Sequence, residues 1–162
     1  MKLKSYKTTY NEEGLITLRE TGAYNIDGRR VFNNPDFVAK TFAEGIGMAS
    51  ETEEYSWLAC MDTKFHCLGV FELGHGWLDG CAIDTRGVFQ KALLVNAMNL
   101  ILLHNHPSGD PSPSKDDLAI TETLKKAREL MGIKLCDHII ISGGPSNQRQ
   151  YYSISGQEYG CY

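Results

Sequence analysis

The chain has no apolar run long enough to cross a bilayer, which excludes a helical membrane span. Its first residues, Met1-Lys2-Leu3-Lys4-Ser5-Tyr6, lack the apolar core of a secretory signal, so the expectation is a cytoplasmic protein. It has little excess of charge of either sign: the formal net charge is -4 over 162 residues, and Lys2, Lys4 and Lys7 form only a small basic start. That balance gives no global electrostatic footprint for nucleic acid. The five cysteines, Cys60, Cys67, Cys81, Cys136 and Cys161, contain no C-x-x-C spacing and are odd in number. Reduced, mostly buried thiols are the reading that fits, which argues against a cysteine-based zinc site and leaves a catalytic cysteine without local support. No repeat or low-complexity tract is present. Proline is also scarce, and three of the five prolines fall within residues 107–113.

What is there reads as one α/β domain with a short preface. Residues 1–35 are expected to be an N-terminal appendage, with two short strands between Tyr6 and Tyr24 around a turn at Asn11-Glu12-Glu13-Gly14. Pro35 suits a first helical turn, and Phe37, Val38, Phe42 and Ile46 follow at helical spacing. Over residues 36–162, strands are expected from Tyr55 to Met61 and, after the turn Asp62-Thr63-Lys64, from Phe65 to Leu73. Asp84-Thr85 can cap a helix carrying Val88, Phe89, Ala92, Leu93, Leu94 and Val95. Leu100-Ile101-Leu102-Leu103 has the wholly apolar character of a strand covered on both faces. Residues 107–113 form a stiff loop. Ile120, Leu124, Ala127, Leu130 and Met131 then mark an amphipathic helix that stops at Gly132. Cys136 to Ser142 is a second buried strand, and Tyr151 to Ile154 an edge strand. Alternating helices and strands predict an α/β fold, a mixed β-sheet sandwiched by helices.

The chemistry concentrates at His104-Asn105-His106-Pro107 and, beyond the proline-rich loop, at Ser114 and Asp117. Two imidazoles two residues apart at a strand end project from one face. With Asp117 they make a three-ligand set suited to catalytic zinc, which keeps a fourth position for water. A lone H-x-H is weak evidence, but this pair abuts a Pro-Gly loop, where function gathers. Ser114-x-x-Asp117 also has a plain structural reading, since that spacing before an apolar-periodic stretch is close to a helix capping box. The two readings are compatible: Ser114 can begin the helix while Asp117 turns toward a metal. Asp116 lies about 100° away around the helix.

His104-x-His106-Pro107, six residues, then Ser114-x-x-Asp117 resembles the JAMM motif of the JAB/MPN metalloprotease superfamily. The full stretch from His104 to Asp117 is most similar to the RadC-like branch, as are Gly76, Arg86-Gly87-Val88-Phe89 and Asp137-His138-Ile139-Ile140-Ile141. The resemblance spans about residues 36–155 and implies a JAB/MPN-like fold, distantly akin to the cytidine deaminases. It further implies Zn2+ held by His104, His106 and Asp117, and a glutamate near the first central strand as general base. The branch's pattern places that glutamate two positions before the aromatic Tyr55, at Glu53, with Glu51 and Glu54 as neighbouring alternatives in what is otherwise a solvated acidic run. Ser114 would hydrogen-bond the water or the oxyanion. The activity implied is hydrolysis of a peptide or isopeptide bond in a peptide or protein substrate.

Other functions remain in view. RadC-like proteins take their name from DNA repair, but the glycine-rich hairpin of a helix-hairpin-helix module is absent from residues 1–50, and the acidic balance counts against it. A non-catalytic MPN binding module would be expected to lose ligands, and here all are present. His104-Asn105-His106 is not an HNH nuclease signature, and a zinc deaminase needs H-x-E with P-C-x-x-C. His138 reads as a structural hydrogen-bonding histidine, while His66 and His75 have no partner by spacing. Trp57, Phe71 and Trp77 are core candidates more than groove candidates. The segment 77–85 departs from the branch in carrying Asp84-Thr85 where His-Pro usually precedes the arginine, so no substrate contact is carried over there.

Overall fold

Leu100 to Leu103 lies in the middle of a seven-stranded mixed sheet in the computed structural model, which describes residues 2–26, 31–76, 83–144 and 150–156. In chain order the elements are β1 (Lys2–Tyr10), β2 (Ile16–Asn25), α1 (Pro35–Lys40), β3 (Glu54–Met61), β4 (Cys67–Gly76), α2 (Thr85–Leu94), β5 (Asn99–His106), α3 (Lys115–Met131), β6 (Lys134–Ser142) and β7 (Tyr151–Ser153). After α1 the chain continues through a π-helical turn, Thr41–Ile46, and a 3₁₀ turn, Met48–Ser50. The strands are ordered β2-β1-β4-β3-β5-β6-β7. Neighbours run antiparallel except β1 with β4 and β5 with β6.

The local reasons are those of the residue types. Asn11 accepts the N–H groups of Glu13 and Leu15 through Oδ1, and Gly14 takes φ 77°, so the β1–β2 turn closes without strain. This hairpin is continuous with the sheet: Ser5 pairs with Val70, and Leu3 is fully buried. Asp84 caps α2 by accepting from the N–H groups of Arg86 and Gly87. Ser114 caps α3, and Gly132 ends it with φ 65°.

Strand alternation sends β5 to two cores. Ile101 and Leu103 join Leu3, Phe32, Phe42, Trp57 and Ile139 beneath α1 and the turns after it. Leu100 and Leu102 join Leu58, Phe71, Val88, Phe89 and Leu124 beneath α2 and α3. Trp57 and Phe71 are therefore core residues. Trp77, Cys81 and Cys161 lie outside the described residues, while Cys60, Cys67 and Cys136 are buried.

Three elements differ from the sequence reading. Phe65 belongs to the turn, with φ 61°, and β4 begins at Cys67, because Asp62 Oδ1 gathers the N–H groups of Lys64 and His66 into a longer connection. The helical stripe of α3 is narrower, with Thr121 and Leu124 buried but Leu130 91 % exposed. Six positions at about 100° each put Leu130 roughly 120° round the helix from Leu124. β5 runs on through His106, so both histidines belong to the strand itself.

Candidate metal centre

Leu100, Leu102, His104 and His106 share one face of β5. The hydrophobic face under α3 thus continues, over its last two positions, as a pair of imidazoles. Their Nε2 atoms approach to 2.9 Å. The first turn of α3 delivers Asp117, whose Oδ1 lies 3.2 Å from His104 Nε2 and whose Oδ2 lies 3.6 Å from His106 Nε2. Ser114-x-x-Asp117 forms a helix cap while its carboxylate still faces the histidines. The Asp117 N–H donates to Ser114 Oγ at 3.1 Å, and Asp117 Oδ2 accepts the Ser114 N–H at 2.7 Å, which is a complete capping box. The cap fixes the rotamer that faces the histidines. Ser114 Oγ, used as an acceptor, retains its own hydrogen to donate.

The carboxylate that joins them is Glu54. Its Oε1 lies 3.7 Å from His104 Nε2 and 3.8 Å from His106 Nε2. Glu53 is exposed, and its backbone carbonyl accepts from Asn105 Nδ2 at 3.0 Å. The physical reason is register: Ser56 pairs with His104 across β3 and β5, so Glu54, two residues earlier, falls on the histidine face and Glu53 on the other. Asn105 secures this. Fully buried, it takes the Tyr55 N–H on Oδ1 at 2.7 Å while donating to Glu53 C=O, and so clamps the two peptide units flanking Glu54. The geometry brings Glu54, and not Glu53, up to the histidine pair. Glu51 is exposed.

His106 Nδ1 donates to the Asp110 carbonyl at 2.8 Å, which leaves the Nε2 lone pair of the neutral ring facing His104. His104 Nδ1 lies 2.8 Å from His138 Nε2, and His138 Nδ1 lies 2.7 Å from Thr121 Oγ1. Burial pushes the His138 imidazole down to about 3. Burial also opposes the charged Asp117 carboxylate, yet the two imidazoles beside it, His104 and His106, outweigh burial and hold this carboxyl well below the usual range. Glu54 is raised by burial and by Asp117, against the lowering influence of both imidazoles. The neighbouring Asp117 carboxylate raises His106 against its own burial.

These donors fit a metal. Glu54, His104 and His106 offer ligand atoms all within 4.8 Å of one another, and so do His104, Asp117 and His138. Two imidazole nitrogens facing each other beside an ionised carboxylate is a mixed N/O set of borderline softness, of the kind that divalent transition metals take. With no cysteine among them, the set owes nothing to thiolates.

A family profile described as the RadC-like JAB domain matches residues 32–159. The chain belongs to this family. The matched span takes in Glu54, the whole of the His104 to Asp117 motif and His138, and it begins after the β1–β2 hairpin. Among related proteins, the RadC-like JAB domain described here is 47% identical over 95 residues to a UPF0758 protein of Thermotoga maritima, covering 59% of this chain and 40% of that one. It is 38% identical over 106 residues to a UPF0758 protein of Coprothermobacter proteolyticus, covering 65% and 44%. With a UPF0758 protein of Shouchella clausii it shares 37% over 116 residues, 72% of this chain and 50% of the other. The chain spans about half the length of the curated relatives it matches. The α/β architecture with its mixed sheet is the JAB/MPN-like fold. No helix among the described residues is long and apolar enough to cross a membrane.

Four residues of this site were not assigned their place by the sequence. Glu54 was a neighbour in an acidic run, and only strand register separates it from Glu53. Asn105, inside the motif, carried no signal of its own. Thr121, one turn after Asp117, was silent, and His138 had a structural reading with no named partner. His66 and His75 do have partners, Asp62 and Glu72, and His75 stacks on Tyr55.

Proposed function

We propose that this domain is a zinc-dependent hydrolase that cleaves a peptide or isopeptide bond in a peptide or protein substrate. The observation that carries the reading is the placement of Glu54, a half-buried carboxylate just beyond a complete His104, His106 and Asp117 donor set. Zinc bound there would supply Lewis acidity, lowering the pKa of water and polarising a carbonyl oxygen. The remaining work falls to the chain. His104, His106 and Asp117 would hold the ion. Glu54 accepts a proton from the attacking water as the carbon–oxygen bond forms, and returns it to the amine nitrogen as the carbon–nitrogen bond breaks. Ser114 Oγ–H donates to the developing oxyanion, a role in which losing one donor costs ~2.7–4 kcal/mol of barrier.

The test is cleavage of a mixed peptide and isopeptide library by the zinc-loaded protein, read by mass spectrometry. Glu54→Gln is expected to retain zinc and lose cleavage by at least about a hundredfold, the lower end for general acid–base catalysis, while Glu53→Gln stays near wild type. Equal loss in both variants, or loss only in Glu53→Gln, would return the general base to Glu53. No cleavage by zinc-loaded wild type would contradict the hydrolase reading.

A further inference from the structure

We infer that Thr121 and His138 are positioning residues, which hold His104 with hydrogen on Nδ1 and its Nε2 lone pair turned toward His106 and Asp117. The inference rests on the metal reading of that site and explains how one of its donors is prepared. It follows from hydrogen-bond direction together with the full burial of His138, which disfavours a charged ring. Thr121 Oγ1 lies 2.6 Å from the Asp117 backbone carbonyl, which can only accept, so the hydroxyl hydrogen is committed there. Toward His138 Nδ1, at 2.7 Å, the same oxygen must then accept, which puts the ring hydrogen of His138 on Nδ1. The other nitrogen of a neutral His138, Nε2, carries a lone pair and accepts from His104 Nδ1 at 2.8 Å. With its hydrogen on Nδ1, His104 presents Nε2 as a donor atom.

The path closes on itself. It starts at the carbonyl of Asp117, passes through Thr121 and His138, and reaches His104 Nε2, which lies 3.2 Å from the carboxylate of the same Asp117. Asp117 therefore serves the site twice, once through its side chain and once through its main chain. Thr121 and His138 are almost fully buried, so no water competes for these bonds. The same direction separates the two overlapping groups of potential ligands. His138 belongs to one of them by distance, but its Nε2 lone pair is engaged by His104, which makes it a second-layer residue of the kind that orients a metal-bound histidine. The competing arrangement is a cationic His138 donating to His104 Nδ1, which would put hydrogen on His104 Nε2 and aim it at Asp117.

Two measurements decide between them. Long-range nitrogen–hydrogen correlation spectra of the metal-free protein are expected to show His104 protonated on Nδ1 and bare on Nε2. Equilibrium zinc titration is expected to show Thr121→Val, which removes the hydroxyl at nearly constant volume, binding about 10- to 100-fold more weakly, the usual effect of losing an outer partner. Thr121→Ser, which keeps the hydroxyl, should bind as wild type does. Hydrogen on His104 Nε2 in the metal-free protein overturns the inference, and so does a folded Thr121→Val protein with wild-type zinc affinity. If the unaltered protein binds no zinc, the hydrolase reading fails, while the inference still stands or falls on the tautomer, which is read without metal.

Discussion

Removing the Asn105 side chain should loosen the strand that carries Glu54 more than it disturbs the histidines on either side. Asn105→Ala leaves two backbone groups without their partners, the Tyr55 N–H and the Glu53 carbonyl, each bonded to the amide in the native fold. A buried group left unsatisfied costs about 1–3 kcal/mol, or about 2–6 kcal/mol for the pair before water enters the vacated space. The Tyr55 bond alone, at 1.4 kcal/mol per decade, corresponds to about 5- to 150-fold faster exchange of that amide. Residue-resolved hydrogen exchange reads this directly, with the Leu102 amide in the centre of the sheet reporting any global loss. Asn105→Asp provides the control: it keeps an acceptor for the Tyr55 N–H but sets a carboxylate against the Glu53 carbonyl, so Tyr55 should stay protected. Zinc stoichiometry should survive in Asn105→Ala while turnover falls, because Glu54 moves and the donor set does not. Unchanged Tyr55 exchange in Asn105→Ala, once global stability is subtracted, would refute the clamp.

Leu124, fully buried against the core beneath α3, should cost about 2–5 kcal/mol on truncation to alanine. In a chain of this size that lowers the unfolding midpoint by about 4–20 °C in a thermal melt, at roughly 2–4 °C per kcal/mol. A loss below about 1 kcal/mol would contradict the packing. Tyr151, on β7, donates to Asp36 at the start of α1, and burial together with that carboxylate pushes its phenol up to about 12. The proton is thus bound more tightly in the folded state, so the contribution is complete below the unfolded value of about 10 and is lost as pH rises through about 12. Denaturant unfolding should show a stability difference between wild type and Tyr151→Phe that is flat below about pH 10 and shrinks above it. A difference unchanged to pH 12 would contradict the assignment.

The fold was legible wherever period and punctuation agreed. The apolar run 100–103, the caps at Asp84 and Ser114, and the stop at Gly132 each rest on local chemistry, and each recurs in space. Histidines and aspartate could be joined because the motif fixes their spacing within one strand, one loop and one helical turn. Glu54 could not be chosen over Glu53, because which of two adjacent residues faces a partner depends on register with β5, some fifty positions away. The same limit hid Thr121 and His138. Their contact joins α3 to β6 through side chains whose individual positions look like ordinary helix and strand. The π-helical turn at Thr41–Ile46 had no signature beyond a helical stripe, and it ends where Gly47 takes φ 98°.

X-ray absorption at the zinc edge, on protein reconstituted with one equivalent of zinc, tests the central claim most directly. The account predicts a first shell of two imidazole nitrogens with oxygen ligands and no sulfur, losing one imidazole in His104→Ala or His106→Ala. A shell containing sulfur, a third imidazole from His138, or no stoichiometric zinc at all would contradict it.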